Sequence, residues 1–227
     1  DEPGAVPDTI NNIYHLHELY TKADPSYTGR VTVPTLWDIK TQTIVNNESA
    51  EIIRMFNSAF DGLTKNKVDF YPDDLRAEID EINDIVYFNV NNGVYRTGFA
   101  ATQEAYEEAY DKLFSTLDLL EERLNSNRYL IGNRLTEADW RLFSTLLRFD
   151  IVYFGHFKCN KKHIYEYPNL WNFTLELYQY PGISGVTNFE QIKRGYYHLM
   201  PNVNPSGIVA KGSELNFNQP HNRDRFA

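Results

Sequence analysis

The chain has 227 residues, is 42 % hydrophobic and carries a formal charge of −9 with a pI near 5.2. That length and apolar content suit one or two globular domains with a sizeable core and exclude a disordered tail. The acidic balance argues against nucleic acid or an anionic membrane as a main partner, because both need clustered Lys and Arg.

A single cysteine excludes an intrachain disulfide framework and suits a reducing cytoplasm. The opening residues lack the charged, apolar and small regions of a signal peptide, and no run of about 18 apolar residues occurs, so a cytoplasmic protein without membrane contact is expected. Residues 1–8 are proline-rich and read as irregular. Residues 10–23 place Ile13, Leu16, Leu19 and Tyr20 at helical spacing, and the Asp-Pro-Ser-Tyr-Thr-Gly run at 24–29 stops that helix.

A hairpin is expected next. Val31, Val33, Leu36 and Trp37 form a β-type run, residues 39–43 a polar turn, and residues 43–45 a second run. Pro34 lacks a ladder donor, so its strand must be an edge, end its pairing there, or carry a cis bond after Val33. After Val45 the apolar period changes to that of a helix through Ile52, Ile53 and Phe56, ending near Phe60. Its N-terminus carries Glu48 and Ser49. Those two residues either only cap the helix, or bind a zwitterion: a carboxylate on Ser49 and the free first-turn amides, an ammonium on Glu48.

Residues 61–71 read as a polar interdomain linker. Pro72 and Asp73 open a helix with Leu75, Ile79, Ile82 and Val86 on one face. Residues 85–95 alone suggest a hairpin about Asn-Asn-Gly. Residues 104–125 are amphipathic, with Ala105, Ala109, Leu113, Leu117, Leu120 and Leu124 aligned. Thr136 and Asp139 form a capping box, flanked by Leu135 and Trp140 as a hydrophobic staple, for a helix running through Leu142, Leu146 and Phe149 toward Tyr153. Helices over 170–178 and 189–197 follow, and residues 201–227, rich in Asn, Pro and Gly, should lie as an extended tail on the body.

The segments RVTVPTLWD, TIVNNESAEIIRMFN, VNNGVYRTGFA, LTEADWRL, RFDIVYFGHFKCN and NPSGI closely resemble the glutathionyl-hydroquinone reductases, the Xi class of glutathione transferases. The resemblance covers nearly the whole chain. It implies an α+β architecture: residues 1–61 as the second half of a thioredoxin-like domain, residues 72–200 as an all-α glutathione-transferase C-terminal domain, and 201–227 as a tail. It also makes the 85–95 segment helical, broken near Asn-Asn-Gly. The family's β-α-β start, with the nucleophilic cysteine of its Cys-Pro-Trp-Ala motif, has no counterpart here, so the chain as written is expected to be inactive alone.

The resemblance implies that glutathione is the co-substrate, held by Arg30 through a carboxylate, by the Val33 backbone beside a cis Val-Pro bond, and by Glu48 and Ser49. Tyr95 and Tyr196 match tyrosines facing the quinol, where a phenol can hydrogen-bond a quinol oxygen and give it a proton. Tyr153 and Tyr197 are second choices. After Tyr197 the family usually continues Arg-Ser-His, whereas here His198, Leu199 and Met200 follow, which bears on substrate preference. The expected partners are glutathione and a glutathionyl-hydroquinone, with a homodimer as assembly. A non-catalytic binding or scaffolding module of the same fold is the alternative. His156, Cys159 and His163 form an H-x₂-C-x₃-H cluster, but a structural zinc needs four ligands and no second pair lies near, so no metal site is expected. Cys159 reads as a buried structural thiol, not a nucleophile.

Overall fold

The computed structural model describes residues 6–226, so the irregular start expected for residues 1–8 falls outside it over residues 1–5. The chain forms two compact units, the first ending at Asp69 and the second beginning at Phe70.

In the first unit, helix α1 spans Leu16–Ala23 and is shorter than the sequence pattern suggested. The Asp8 carboxylate accepts from the amides of Ile10 and Asn11 at 2.8 and 2.9 Å, which fixes a turn where the helix was expected to begin. Glu18 then accepts from the His15 amide at 2.7 Å and starts α1 there. Strands β1 (Leu36–Asp38) and β2 (Thr43–Asn46) pair antiparallel, Trp37 opposite Ile44. Val31 and Val33 stay outside the ladder, contrary to a strand beginning at Val31, because Pro34 offers no donor and follows a cis bond. Helix α2 (Ser49–Ser58) comes directly after β2 and buries Ile52.

The second unit is helical. Residues 72–75 form a turn, Leu75 N–H donating to the Pro72 carbonyl, before α3 (Arg76–Val86). A π-helical turn (Tyr87–Asn91) and α4 (Gly93–Gly98) continue it. The hairpin that residues 85–95 suggest locally does not form. Val86, Val90 and Val94 are wholly buried while Phe88, which a strand would place on the same face, is 56 % exposed, a pattern that a helix gives and an alternating strand does not. Next comes α5 (Gln103–Ser126), capped by Thr102, with Ala109, Leu113, Leu117, Leu120 and Leu124 buried and Ala105 exposed. Ala105 lies in the first turn and lines a groove instead of the core.

Helix α6 (Glu137–Arg148) begins at the expected box: Asp139 accepts from the Thr136 amide at 2.8 Å and hydroxyl at 3.0 Å. It passes through a second π-helical turn (Phe149–Tyr153) into the short α7 (Phe154–His156). Then follow α8 (Pro168–Tyr178), α9 (Ile183–Val186) and α10 (Phe189–Tyr197). Helix α8 is buried nearly all round, its polar Asn169, Thr174 and Glu176 included, as a helix at the centre of a core must be. The tail is irregular up to a 3₁₀ turn at Arg223–Phe226 and is pinned by two buried side chains. Phe217 packs on Tyr178 and Phe189, and Arg223 donates to the carbonyls of Leu124, Asn127 and Arg128 at the end of α5. No helix among the described residues is long and apolar enough to cross a membrane.

Candidate functional site

In the first unit, the Val33–Pro34 bond is cis, as the sequence led us to expect. One phenol organises the loop before it. The Tyr20 hydroxyl donates to the Thr32 carbonyl at 2.8 Å and accepts from Asn47 Nδ2 at 3.1 Å, joining α1, the loop and the entry to α2. Val33 itself is 77 % exposed, and its backbone makes no hydrogen bond among the described residues. Arg30 is exposed, its carbonyl accepting from the Tyr27 hydroxyl at 2.5 Å.

Glu48 occupies the N-cap of α2 and Ser49 its first helical position, both exposed, and neither side chain makes a capping bond. The cap work is done elsewhere. Asn46 accepts from the Glu48 amide at 2.7 Å and donates to Glu51 at 2.5 Å, while the Glu48 carbonyl takes the Glu51 and Ile52 amides. The Ser49 hydroxyl and the Ser49 and Ala50 amides therefore make no hydrogen bond among the described residues, the condition of a helix N-terminus able to hold a carboxylate.

In the second unit, three tyrosines far apart in sequence converge. The Tyr95 and Tyr196 hydroxyls lie 2.5 Å apart, and the Tyr153 hydroxyl lies 2.8 Å from that of Tyr196. Both π-helical turns serve this meeting. The first, Tyr87–Asn91, precedes α4, which carries Tyr95, and the second ends on Tyr153 itself; an extra residue in the turn rotates the side chains that follow relative to a regular helix. Tyr196 comes from the last turn of α10. The Phe157 ring packs against all three, at centroid distances of 5.3 Å from Tyr95, 5.5 Å from Tyr153 and 5.8 Å from Tyr196.

Tyr153 is 3 % exposed, whereas Tyr95 and Tyr196 are half-buried. Tyr95 lines an open groove of about 1240 Å³ with Arg96, Phe99 and Lys112; Tyr196 lines another of about 420 Å³ with Arg148 and Gln191. Burial pushes the Tyr153 and Tyr196 phenols well above the ordinary tyrosine value, so both stay protonated donors at neutral pH. Tyr197 does not join the cluster and packs on the His156 ring at 4.8 Å. His198 engages the Gly207 carbonyl at 3.3 Å through Nδ1, and Leu199 beside it is exposed.

The His156, Cys159 and His163 side chains occupy different surroundings. His156 stacks on Phe157, His163 stacks on Phe154 at 3.5 Å beside the Asp150 carboxylate, and the Cys159 sulfur is wholly buried near the Val94 and Phe157 carbonyls. Burial pushes the Cys159 thiol up to about 12, so it is inert as a nucleophile at neutral pH.

The sequence reading placed Tyr153 below Tyr95 and Tyr196, and gave no role to Tyr20. Tyr153 lies five residues beyond the end of α6 and closes the π-helical turn, a helix defect that the apolar spacing of the sequence does not announce.

Comparison with known proteins bears on both units. A family model described as "Glutathione S-transferase, C-terminal domain" matches residues 103–174. Glutathionyl-hydroquinone reductase YqjG of Escherichia coli K12 is 53 % identical over 222 residues, which is 98 % of this chain and 68 % of that protein. Glutathionyl-hydroquinone reductase PcpF of Sphingobium chlorophenolicum is 55 % identical over 207 residues, 91 % of this chain and 66 % of the relative. The glutathione-bound structure of YqjG superposes with a TM-score of 0.96 over 98 % of this chain and 72 % of its own, and the Xi-class glutathione transferase of Natrialba magadii with 0.96 over 99 % and 68 %, at 52 % and 47 % identity. This chain spans about two thirds of the length of such relatives.

Proposed function

Because this chain belongs to the glutathionyl-hydroquinone reductases, the Xi class of glutathione transferases, we propose that it binds glutathione through its first unit and a hydroquinone ring through its second, in the glutathione-dependent reduction of glutathionyl-hydroquinones. Its fold is accordingly α+β, the second half of a thioredoxin-like domain followed by an all-α glutathione-transferase C-terminal domain.

In this reading a cysteine thiolate other than Cys159 attacks the sulfur of the glutathionyl-hydroquinone and forms a mixed disulfide. The carbon–sulfur bond breaks in the keto tautomer of the quinol, whose ring carbon already carries the oxygen's proton, so the electron pair leaves as an enolate and its oxygen takes up one proton. A second glutathione then releases glutathione disulfide and restores the thiolate. Val33 pairs with the peptide backbone of glutathione as a strand would, Ser49 and the α2 N-terminus take a carboxylate, Glu48 takes the ammonium, and Arg30 takes the other carboxylate. Tyr95 and Tyr196 hold the quinol oxygen and supply a proton to it. The single buried cysteine fits a reducing cytoplasm, and a homodimer is the assembly we expect.

The observation that carries the reading is the meeting of the Tyr95 and Tyr196 hydroxyls across 101 residues of sequence, at the edge of an open groove. Calorimetry with glutathione tests the other half. Ser49→Ala removes a charge-assisted hydrogen bond and should weaken binding by about 10- to 100-fold, while Tyr95→Phe should leave it unchanged and weaken only the aromatic ligand. If neither substitution moves either affinity, a non-catalytic binding module replaces this proposal.

A further inference from the structure

We propose that Tyr153 is the positioning residue of the quinol site: its buried hydroxyl donates to Tyr196, so that the one O–H donor left over by the three-tyrosine cluster belongs to Tyr95 or Tyr196 and faces the ligand. This rests on the quinol reading above and goes beyond it in naming the group that sets the polarity of the site.

The argument is a count of donors. Three phenols bring three O–H groups, and two contacts join them: Tyr153 to Tyr196 at 2.8 Å and Tyr196 to Tyr95 at 2.5 Å. Two of the three donors are therefore spent inside the chain and one is left over. The leftover donor cannot be that of Tyr153. Its side chain is sealed from solvent and its acceptors lie inside the cluster, Tyr196 at 2.8 Å with Tyr95 as the further neighbour, so a hydroxyl turned away from them would be a buried donor without an acceptor. Such a group costs more than the bond it forgoes. Tyr153 must therefore donate to Tyr196.

Two arrangements then remain, and both point outward. Either Tyr196 donates to Tyr95, whose own proton faces the groove, or Tyr196 accepts from both neighbours and presents its proton to the smaller groove. In each the site offers one donor to an oxyanion, backed by a second hydrogen bond that strengthens as negative charge gathers on Tyr196. The shifts agree with that direction: after burial, the bond from Tyr153 is what lowers the Tyr196 phenol, and burial together with its Tyr196 and Tyr95 neighbours keeps Tyr153 protonated. Charged groups face the cluster from both grooves: Arg96, Glu108, Asp111 and Lys112 line the one at Tyr95, and Arg148 the one at Tyr196. Arg148 stands on the Tyr196 side and favours negative charge there, and His156 lies beyond Phe157, its imidazole kept neutral by burial.

The position was hard to reach by accident. Tyr153 closes the π-helical turn that interrupts the α6 path, and without that turn its ring would not stand edge-on to Tyr196 at a centroid distance of 5.3 Å.

The test uses para-nitrophenol as a coloured probe of the quinol oxygen, titrated into the unmodified chain and into Tyr153→Phe and Tyr196→Phe across pH. Absorbance reports the neutral and ionised forms of the bound probe separately. In Tyr153→Phe, affinity for the phenolate should fall by about 3- to 10-fold, the worth of one hydrogen bond, with affinity for the neutral phenol unchanged, so that the pKa of the bound probe rises. A purely structural role would weaken both forms equally. Equal weakening, or no change, overturns the inference while leaving the quinol reading intact. If the unmodified chain binds neither form, the quinol reading falls and this inference falls with it. Near-ultraviolet circular dichroism of Tyr153→Phe confirms that the aromatic cluster remains packed.

Discussion

The Glu121 carboxylate, on α5, accepts the amide hydrogens of Asn169 and Leu170 at 2.8 to 3.1 Å and so caps the N-terminus of α8 from a different helix. Pro168 has no amide hydrogen to satisfy, and the next two amides both find this one side chain, which also takes the Asn169 side-chain amide at 2.8 Å. The central helix of the core is thus anchored at its start by a residue 48 and 49 positions before the two amides it caps.

Glu121→Ala leaves those amides without partners in a place water reaches poorly. We expect a loss of about 1.5 to 3 kcal/mol, the range for hydrogen bonds to a charged group, read as a lower midpoint of denaturant unfolding with unchanged slope. A shift below about 0.5 kcal/mol would mean that solvent replaces the cap.

Asp139 makes stability depend on pH in an uncommon direction. It is wholly buried, and burial pushes its carboxyl up to about 6 despite bonds from the Leu130 amide and from the amide and hydroxyl of Thr136. In the unfolded chain an aspartate titrates near about 3.9, so between about pH 4 and 6 the folded state holds the extra proton and stability falls as pH rises. The contribution is complete below about 4 and gone above about 6. Measured against Asp139→Asn, the parent should lose stability across that window; a constant difference would show that the carboxyl titrates normally.

Gly98 ends α4 against a ring that cannot retreat. A Cβ there would collide with the Phe157 side chain, which is wholly buried and packed on all three tyrosines of the cluster. Gly98→Ala should cost about 1 to 3 kcal/mol by overpacking and should also weaken para-nitrophenol binding, because the displaced ring moves Tyr95 and Tyr153. Unaltered stability and binding together would show that α4 shifts freely.

Cys159 should resist alkylation in the native state. With no solvent exposure and a thiol pushed up to about 12, iodoacetamide at neutral pH should modify it only through unfolding, at a rate that rises with denaturant. Fast labelling without denaturant would mean that the α4 and α7 region opens locally.

What the sequence by itself determined is what depends on neighbours along the chain. The Thr136 box, the apolar stripe of α5 and the change of period from β2 into α2 are local patterns, and each formed with boundaries close to those read. Where a distant or non-pattern contact competed, the local signal lost. Asp8 shortened α1 by holding two amides in a turn, Pro34 kept Val31 and Val33 out of the ladder, and the core took three valines at helical spacing from a segment written like a hairpin. The resemblance named Tyr95 and Tyr196 but could not show that their hydroxyls touch, nor that Tyr153 stands behind them, because two π-helical turns rotate those side chains by amounts no periodicity encodes. The burial that makes Tyr153 a donor and Cys159 inert is likewise a property of the packed core, since desolvation arises only when the helices close around a group.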